Sequence, residues 1–250
     1  MKVHDEVGDG KKRPRPMRSS PTHGSGRLRP TLRRLLRNVA LGVGCATSIP
    51  GIVWLLDSPR PFYEMSLATA YVGLALLSIT LLLGPWNVLG GHPNPVSTHL
   101  RRDIGIWAAL VAGLHVAVGF QSHFTGDLMR WFRHPDGHGM LGGLRYDPFG
   151  LASWTGLGAT VLLLILLALS NDLALRRLGT GRWKGWQRAN YAVFGAVIVH
   201  GVIFQVLEKR LWPWMGLVGA AAVVVVAFQA LGFRRMREAQ RGALESTRPV

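Results

Sequence analysis

Cysteine is nearly absent: Cys45 is the only one in 250 residues. That excludes an internal disulfide and leaves no thiolate set for an iron–sulfur cluster or a cysteine zinc site. Acidic residues are also scarce, 13 against 29 Lys and Arg, and none falls inside the long apolar runs described below. A carboxylate relay for protons or ions across a membrane is therefore not encoded. No strand followed by a glycine-rich turn and a helix is present, so no flavin- or nicotinamide-binding unit is expected, and any soluble reductant must arrive on another molecule.

What the chain has instead is apolar length. Six runs of about 17 residues or more can each span a hydrocarbon core of about 30 Å as a helix. They are Asn38 to Leu56, Met65 to Trp86, Ile104 to Phe120, Phe149 to Ser170, Ala189 to Leu207, and Pro213 to Phe233. Leu and Ala richness without period-two alternation favours helices over strands, and an open sheet in lipid would leave backbone groups unpaired. The expected fold is an all-α integral membrane six-helix bundle.

The formal charge of +16 would suit nucleic acid if it formed one face of a soluble domain. It is distributed by topology instead. If six helices alternate, 23 Lys and Arg lie on the side of the termini and six on the other. The positive-inside rule then places both termini in the cytoplasm, as expected of a multi-pass protein of the cell inner membrane, with lipid and not nucleic acid as its surroundings. Nine Trp residues, among them Trp54, Trp86, Trp183, Trp186, Trp212 and Trp214, cluster near predicted helix ends as an interfacial belt.

The chain is expected to divide into a disordered, basic, Pro-, Gly- and Ser-rich cytoplasmic tail over residues 1–37, a membrane domain over 38–233 and a short cytoplasmic tail over 234–250. Arg33 and Arg34 before an apolar run faintly resemble a twin-arginine export signal, but the length of the run suits a start-transfer anchor. The longest outer connection, Gln121 to Pro148, is polar and exceeds about 15 residues, a length often associated with function. Capping a cofactor, receiving a partner and serving as a plain mobile loop all remain open for it.

Chemistry concentrates on histidine. Of nine His, His115 and His200 alone fall well inside predicted spans. His115 lies 12 residues beyond Asp103 and His200 12 beyond Arg188, which puts each imidazole about 18 Å above the inner charged boundary. Two histidines at one height on two helices are the arrangement for the axial ligands of one heme, bound from opposite faces. A hydrogen-bonded structural pair and a proton or ion pathway are the alternatives. Gly113 and Gly119 flank His115, and Gly195 and Gly201 flank His200, which lowers bulk where a flat macrocycle would enter. His134 and His138 frame Pro and Gly, so helical zinc spacing does not apply. His92 and His99 lie in the inner connection near Arg101 and Arg102.

Around these residues, from about Leu100 to Leu207, the chain resembles the ferric-reductase-like transmembrane family, and within it the heme-binding membrane subunits of bacterial periplasmic methionine sulfoxide reductase systems. The resemblance rests on Arg101-Arg102-Asp103-Ile104-Gly105 leading to His115, and on Trp183-Lys184-Gly185-Trp186-Gln187-Arg188 leading to His200. It implies heme b with His115 and His200 as iron ligands. The chain departs from the family at Gln187, where many relatives carry a further His, and at Arg101 and Arg102, near which two-heme members carry another. One heme is expected; a second, inner one would need an unusual ligand such as His99.

The expected function is a heme b electron carrier, an oxidoreductase subunit moving electrons from a cytoplasmic flavoprotein or a membrane quinol to an acceptor protein on the outer face. A quinone, or a flavin held by Arg101, Arg102, Arg176, Arg177, Lys184 and Arg188, would bridge the inner surface and an outwardly placed heme. Topology alone also accounts for those basic residues. On the outer side Arg130, Arg133, Arg145, Lys209 and Arg210 are candidates for pairing with heme propionates or an acidic acceptor. A quinone-coupled cytochrome b of another respiratory complex, and a non-heme transporter or scaffold, are the competing functions.

Overall fold

The computed structural model describes residues 30–91, 98–135, 137 and 143–246. The chain divides into residues 1–37 and residues 38–250; in the first of these, the described residues 30–37 are helical. The described elements are α1 (Pro30–Leu56), α2 (Pro61–Leu89), α3 (Thr98–Phe124), α4 (Met129–Phe132), α5 (Pro148–Ala168), α6 (Asp172–Gln187), α7 (Ala189–Leu207), a π turn at Leu211–Met215, and α8 (Gly216–Ser246). Six of the helical segments are long and apolar enough to cross a membrane. The fold is the all-α six-helix bundle expected, with an isolated Arg133–Leu144 bridge as the only β-type pairing among the described residues.

Helix ends differ from the apolar runs because hydrophobicity stops at the lipid boundary while backbone hydrogen bonding does not. The first helix starts at Pro30 rather than Asn38, the third reaches Phe124 rather than Phe120, and the last continues to Ser246 rather than Phe233. Segment 234–246, expected to be tail, is therefore helical. Residues 1–29 and 247–250 lie outside the described residues.

Helix α2 is the centre of the bundle. Its apolar window is 56% buried, against 28% or less for each of the others. Leu67, Ala68 and Thr69 are buried in succession, which one-sided packing of a 3.6-residue helix does not allow. The α2 hydroxyls turn back on their own helix: Thr69 donates to the Met65 carbonyl at 2.7 Å and Ser78 to the Leu74 carbonyl at 2.7 Å. Polar groups are thereby satisfied without a partner helix.

Two clusters pack on α2. Cys45 and Ile49 of α1 join Ala68, Val72 and Leu76 of α2 and Ile104, Ala108 and Val111 of α3. Cys45 is thus a small buried apolar residue, as its position in the first span implies. The other cluster joins Leu74, Leu77 and Leu81 of α2 to Leu166 of α5, Val193 and Phe194 of α7, and Val218 and Val225 of α8. In lipid such contacts act mainly through close van der Waals packing, which is why small residues sit at the crossings.

Helix α5 begins on a built cap. Pro148 takes the first helical position, and the Asp147 carboxylate accepts from the Gly150 N–H at 2.7 Å. Arg145 donates to Asp147 at 2.7 Å and lies over the Phe149 ring at 4.6 Å. That guanidinium holds the Asp147 carboxyl below the usual carboxylate range, and the Gly150 N–H acts in the same direction. A side chain at Gly150 would meet the Arg145 carbonyl oxygen at 2.4 Å, so the turn requires glycine.

Candidate functional site

His115 on α3 and His200 on α7 meet inside the bundle. Their ring centroids are 6.1 Å apart and their planes stand at 87°. The matched heights expected from sequence therefore become direct juxtaposition. Each ring is held by a carbonyl of a neighbouring helix: Nδ1 of His115 lies 2.9 Å from the Ser66 oxygen on α2, and Nδ1 of His200 lies 2.9 Å from the Ala152 oxygen on α5. The Ser66 hydroxyl is a further neighbour of His115 Nδ1 at 3.4 Å.

A carbonyl oxygen only accepts, so Nδ1 is the protonated nitrogen in both rings and Nε2 carries the lone pair of the neutral imidazole. The two rings do not hydrogen-bond to each other, which removes the mutual contact that a structural histidine pair would be built on. Metal-ligating histidines are held in this same way, one nitrogen donating to a fixed acceptor while the other faces the metal. Two imidazoles on opposite sides of one metal ion, with bonds of about 2 Å each, place their ring centroids roughly 6 Å apart. The observed centroid separation agrees with that value.

A cavity of about 230 Å³ surrounds the pair. Its walls come from α2, α3, α5 and α7 and are mostly apolar, with Leu67, Leu74 and Val193 among them. Room for the His200 ring comes from Gly156 of α5, where a Cβ would lie 2.6 Å from His200 Nδ1. Of the four glycines picked out in the sequence, Gly119 and Gly201 line the cavity. Gly113 and Gly195 have nothing within 4 Å of an added Cβ and make no room for a ligand.

The connection between α3 and α5 closes one end of this cavity. Trp131 of α4 is 7% exposed and packs against His123, Phe124 and Phe149, with centroids at 5.4, 5.7 and 5.2 Å. Phe204 continues the layer to His200 at 5.0 Å. Backbone bonds from His134 N–H to the Gly143 carbonyl and from Arg145 N–H to the Phe132 carbonyl, at 2.8 and 2.9 Å, tie the two limbs of the loop together. The described part of this connection thus packs over one end of the cavity.

A polar cluster lies at the same end. Tyr63 donates to Glu208 at 3.2 Å, and His123 Nε2 lies 3.4 Å from the other Glu208 oxygen. Gln205 donates to the Tyr71 hydroxyl at 2.7 Å. Sequence reading missed His123 because the apolar run ends at Phe120; the absence of Pro or Gly before Gly126 was the available signal that the helix continues. Ser66, Ala152 and Trp131 carried no sequence signal, since two of them act through backbone carbonyls and the third reaches the site through a loop.

The outer basic candidates separate. Arg130 lies 3.3 Å from Asp127, Arg145 pairs with Asp147, and Arg210 alone of the five lines the cavity. At the inner end Arg102 donates to the Ser170 carbonyl at 2.7 Å and to Asp172 at 2.6 Å, a tie between α3 and the start of α6. Arg176, Arg177, Lys184 and Arg188 are exposed, and α6 buries no residue. His99 is exposed, and neither it nor Gln187 lines the cavity of the histidine pair. His92 and His138 lie outside the described residues. Among those described, no group of three or more His, Cys, Asp or Glu is arranged to hold a metal ion; a two-histidine site falls below that size. The chain matches no protein-family model and no solved structure.

Proposed function

We propose that this protein is a b-type cytochrome subunit of the ferric-reductase-like kind, and that His115 and His200 are the axial ligands of one heme. The observation carrying this reading is that both rings give Nδ1 to a backbone carbonyl and stand 6.1 Å apart beside one cavity. Ligation would use the Nε2 lone pair that each ring keeps free of its Nδ1 bond.

Bound heme would supply a one-electron ferric–ferrous couple. The residues of the chain do the rest. Ser66 and Ala152 fix ring orientation through their carbonyls, Gly156 leaves His200 its place, and the apolar walls with Trp131 keep water from the ligands. Electrons would enter from a membrane quinol or a cytoplasmic flavoprotein and leave to an acceptor protein on the outer face. Placement in an inner membrane with both termini cytoplasmic belongs to the same proposal and is supported by the distribution of Lys and Arg. A second, inner heme is not part of it, since Gln187 occupies the position a ligand would need.

Absorption spectra of detergent-purified protein, oxidised and dithionite-reduced, with heme quantitation, test the assignment. A low-spin b-type spectrum at one heme per chain is expected, lost in both His115→Ala and His200→Ala while the bundle remains folded. A folded parent that takes up no heme from an ample supply would sink the reading in favour of a transporter or scaffold.

A further inference from the structure

The loop-covered end of the cavity holds hydrogen-bond donors that no protein group satisfies. Nε and Nη1 of Arg210 are buried without a partner, and so is Nε1 of Trp131. Both residues line the cavity that contains the histidine pair. The Arg210 backbone is fixed by its N–H donating to the Gln205 carbonyl at 2.9 Å, and its guanidinium lies 4.6 Å from the centre of the Tyr63 ring. An aromatic face is attractive to a cation but offers no acceptor. The neighbouring carboxylate is already engaged, because one Glu208 oxygen accepts from Tyr63 and the other faces His123.

These two N–H groups of the guanidinium are withdrawn from water and meet no anion or carbonyl. A second unpartnered donor, the Trp131 indole, borders the same space. Three unpartnered donor atoms against one unpartnered acceptor, Gln205 Oε1, with the local carboxylate occupied elsewhere, favour an acceptor-rich group brought in by the ligand. Resting on the heme reading above, we infer that Arg210 is the anchor for a carboxylate of the cavity's occupant, a heme propionate, with Trp131 Nε1 as a supporting donor. The planar fork of Arg suits a carboxylate held by two parallel bonds. Such a pairing would set the orientation of the ligand in the cavity, which the two histidines by themselves would leave free.

The test compares wild type, Arg210→Leu and Arg210→Lys, each loaded with heme b or with its dimethyl ester, in which both carboxylates are blocked. Transfer to excess apomyoglobin gives the rate of loss, and redox titration gives the midpoint potential. Arg210→Leu is expected to lose heme b at least about tenfold faster than wild type, the effect of a charge-assisted bond. Its potential should fall, because a positive charge favouring the ferrous state is removed. Arg210→Lys should be intermediate. The dimethyl ester should leave wild type and Arg210→Leu at the same rate. Unchanged loss and potential in Arg210→Leu would overturn the anchor. If that variant does not fold, the wild type still decides, since ester and heme b leaving it at one rate has the same consequence. Folded wild type that binds neither compound overturns the heme reading itself, and the anchor falls with it.

Discussion

His115 and His200 are distinguished from the other described histidines by what each Nδ1 touches. A carbonyl from the next helix orients the ring, and Gly156 gives His200 space to reach its carbonyl. The consequence is sharp at Gly156, because an added methyl would sit 2.6 Å from His200 Nδ1, closer than any van der Waals contact. Helix α5 can be rebuilt at that point only by pushing the imidazole away. Gly156→Ala is therefore expected to lower heme content several-fold while raising helix propensity by roughly 0.5–1 kcal/mol. Heme quantitation beside a thermal melt separates the two effects; full heme content would show that the ring has another place to go. The histidines themselves were legible in the sequence, since ionisable residues at membrane depth are costly and conspicuous. Gly156 was not, because one glycine in an apolar helix looks like any other until its neighbour is known.

At the scale of elements, the entrance to α5 shows how a loop is joined to a span. Asp147 caps the helix and is held ionised by Arg145, so two charges are neutralised where the chain enters lipid. Asp147→Ala should cost about 1 kcal/mol, the usual value for losing an N-cap. The pH dependence follows from the depressed carboxyl. A group with a lowered pKa in the folded state stabilises fully above its unfolded value of about 3.9 and loses that contribution as pH falls through the folded value. Wild type should thus lose stability on acidification below about pH 4 more steeply than Asp147→Ala. Melting temperatures of both proteins across pH 3 to 7 measure it, and parallel curves would assign no role to the pair.

Element boundaries were less legible than element existence. Six spans follow from apolar length, and the structure has six. Their ends run past the apolar residues, because a helix entering water can continue on its backbone hydrogen bonds alone. That extension matters in one place: the added turn of α3 brings His123 into the wall of the cavity. The loop after α3 shows the opposite limit. Nothing local marks Trp131 as a buried plug, since it is buried by Phe124 of α3, Phe149 of α5 and Phe204 of α7, which lie apart in the chain.

For the whole molecule, the basic residues and the cavity together set a direction. The loop-capped end of the cavity carries Arg210, Glu208 and Trp131, and if the six spans alternate, the sequence puts most of the Lys and Arg on the other side. If the positive side is cytoplasmic, the capped end of the cavity lies toward the outer face. In a Cys45→Ser background, a single cysteine introduced at Leu128 or at the exposed Lys209 should react with a membrane-impermeant maleimide added to intact cells. One introduced at Arg182 should react only after permeabilisation. The reverse pattern would turn the protein over and place the capped end in the cytoplasm.

Much of this was determined by the sequence alone: the number of spans, the bias of charge and the presence of two histidines well inside the spans. These follow from the bilayer, which imposes length, apolarity and charge placement residue by residue, so each is written in one dimension. Only the tertiary structure decided which carbonyls hold the rings, that Gly156 clears space for one of them, that the outer loop closes on the cavity, and that Arg210 among five basic candidates faces it. Those depend on helices packed in a particular rotation about their axes, and rotation is fixed by contacts between residues far apart in the chain.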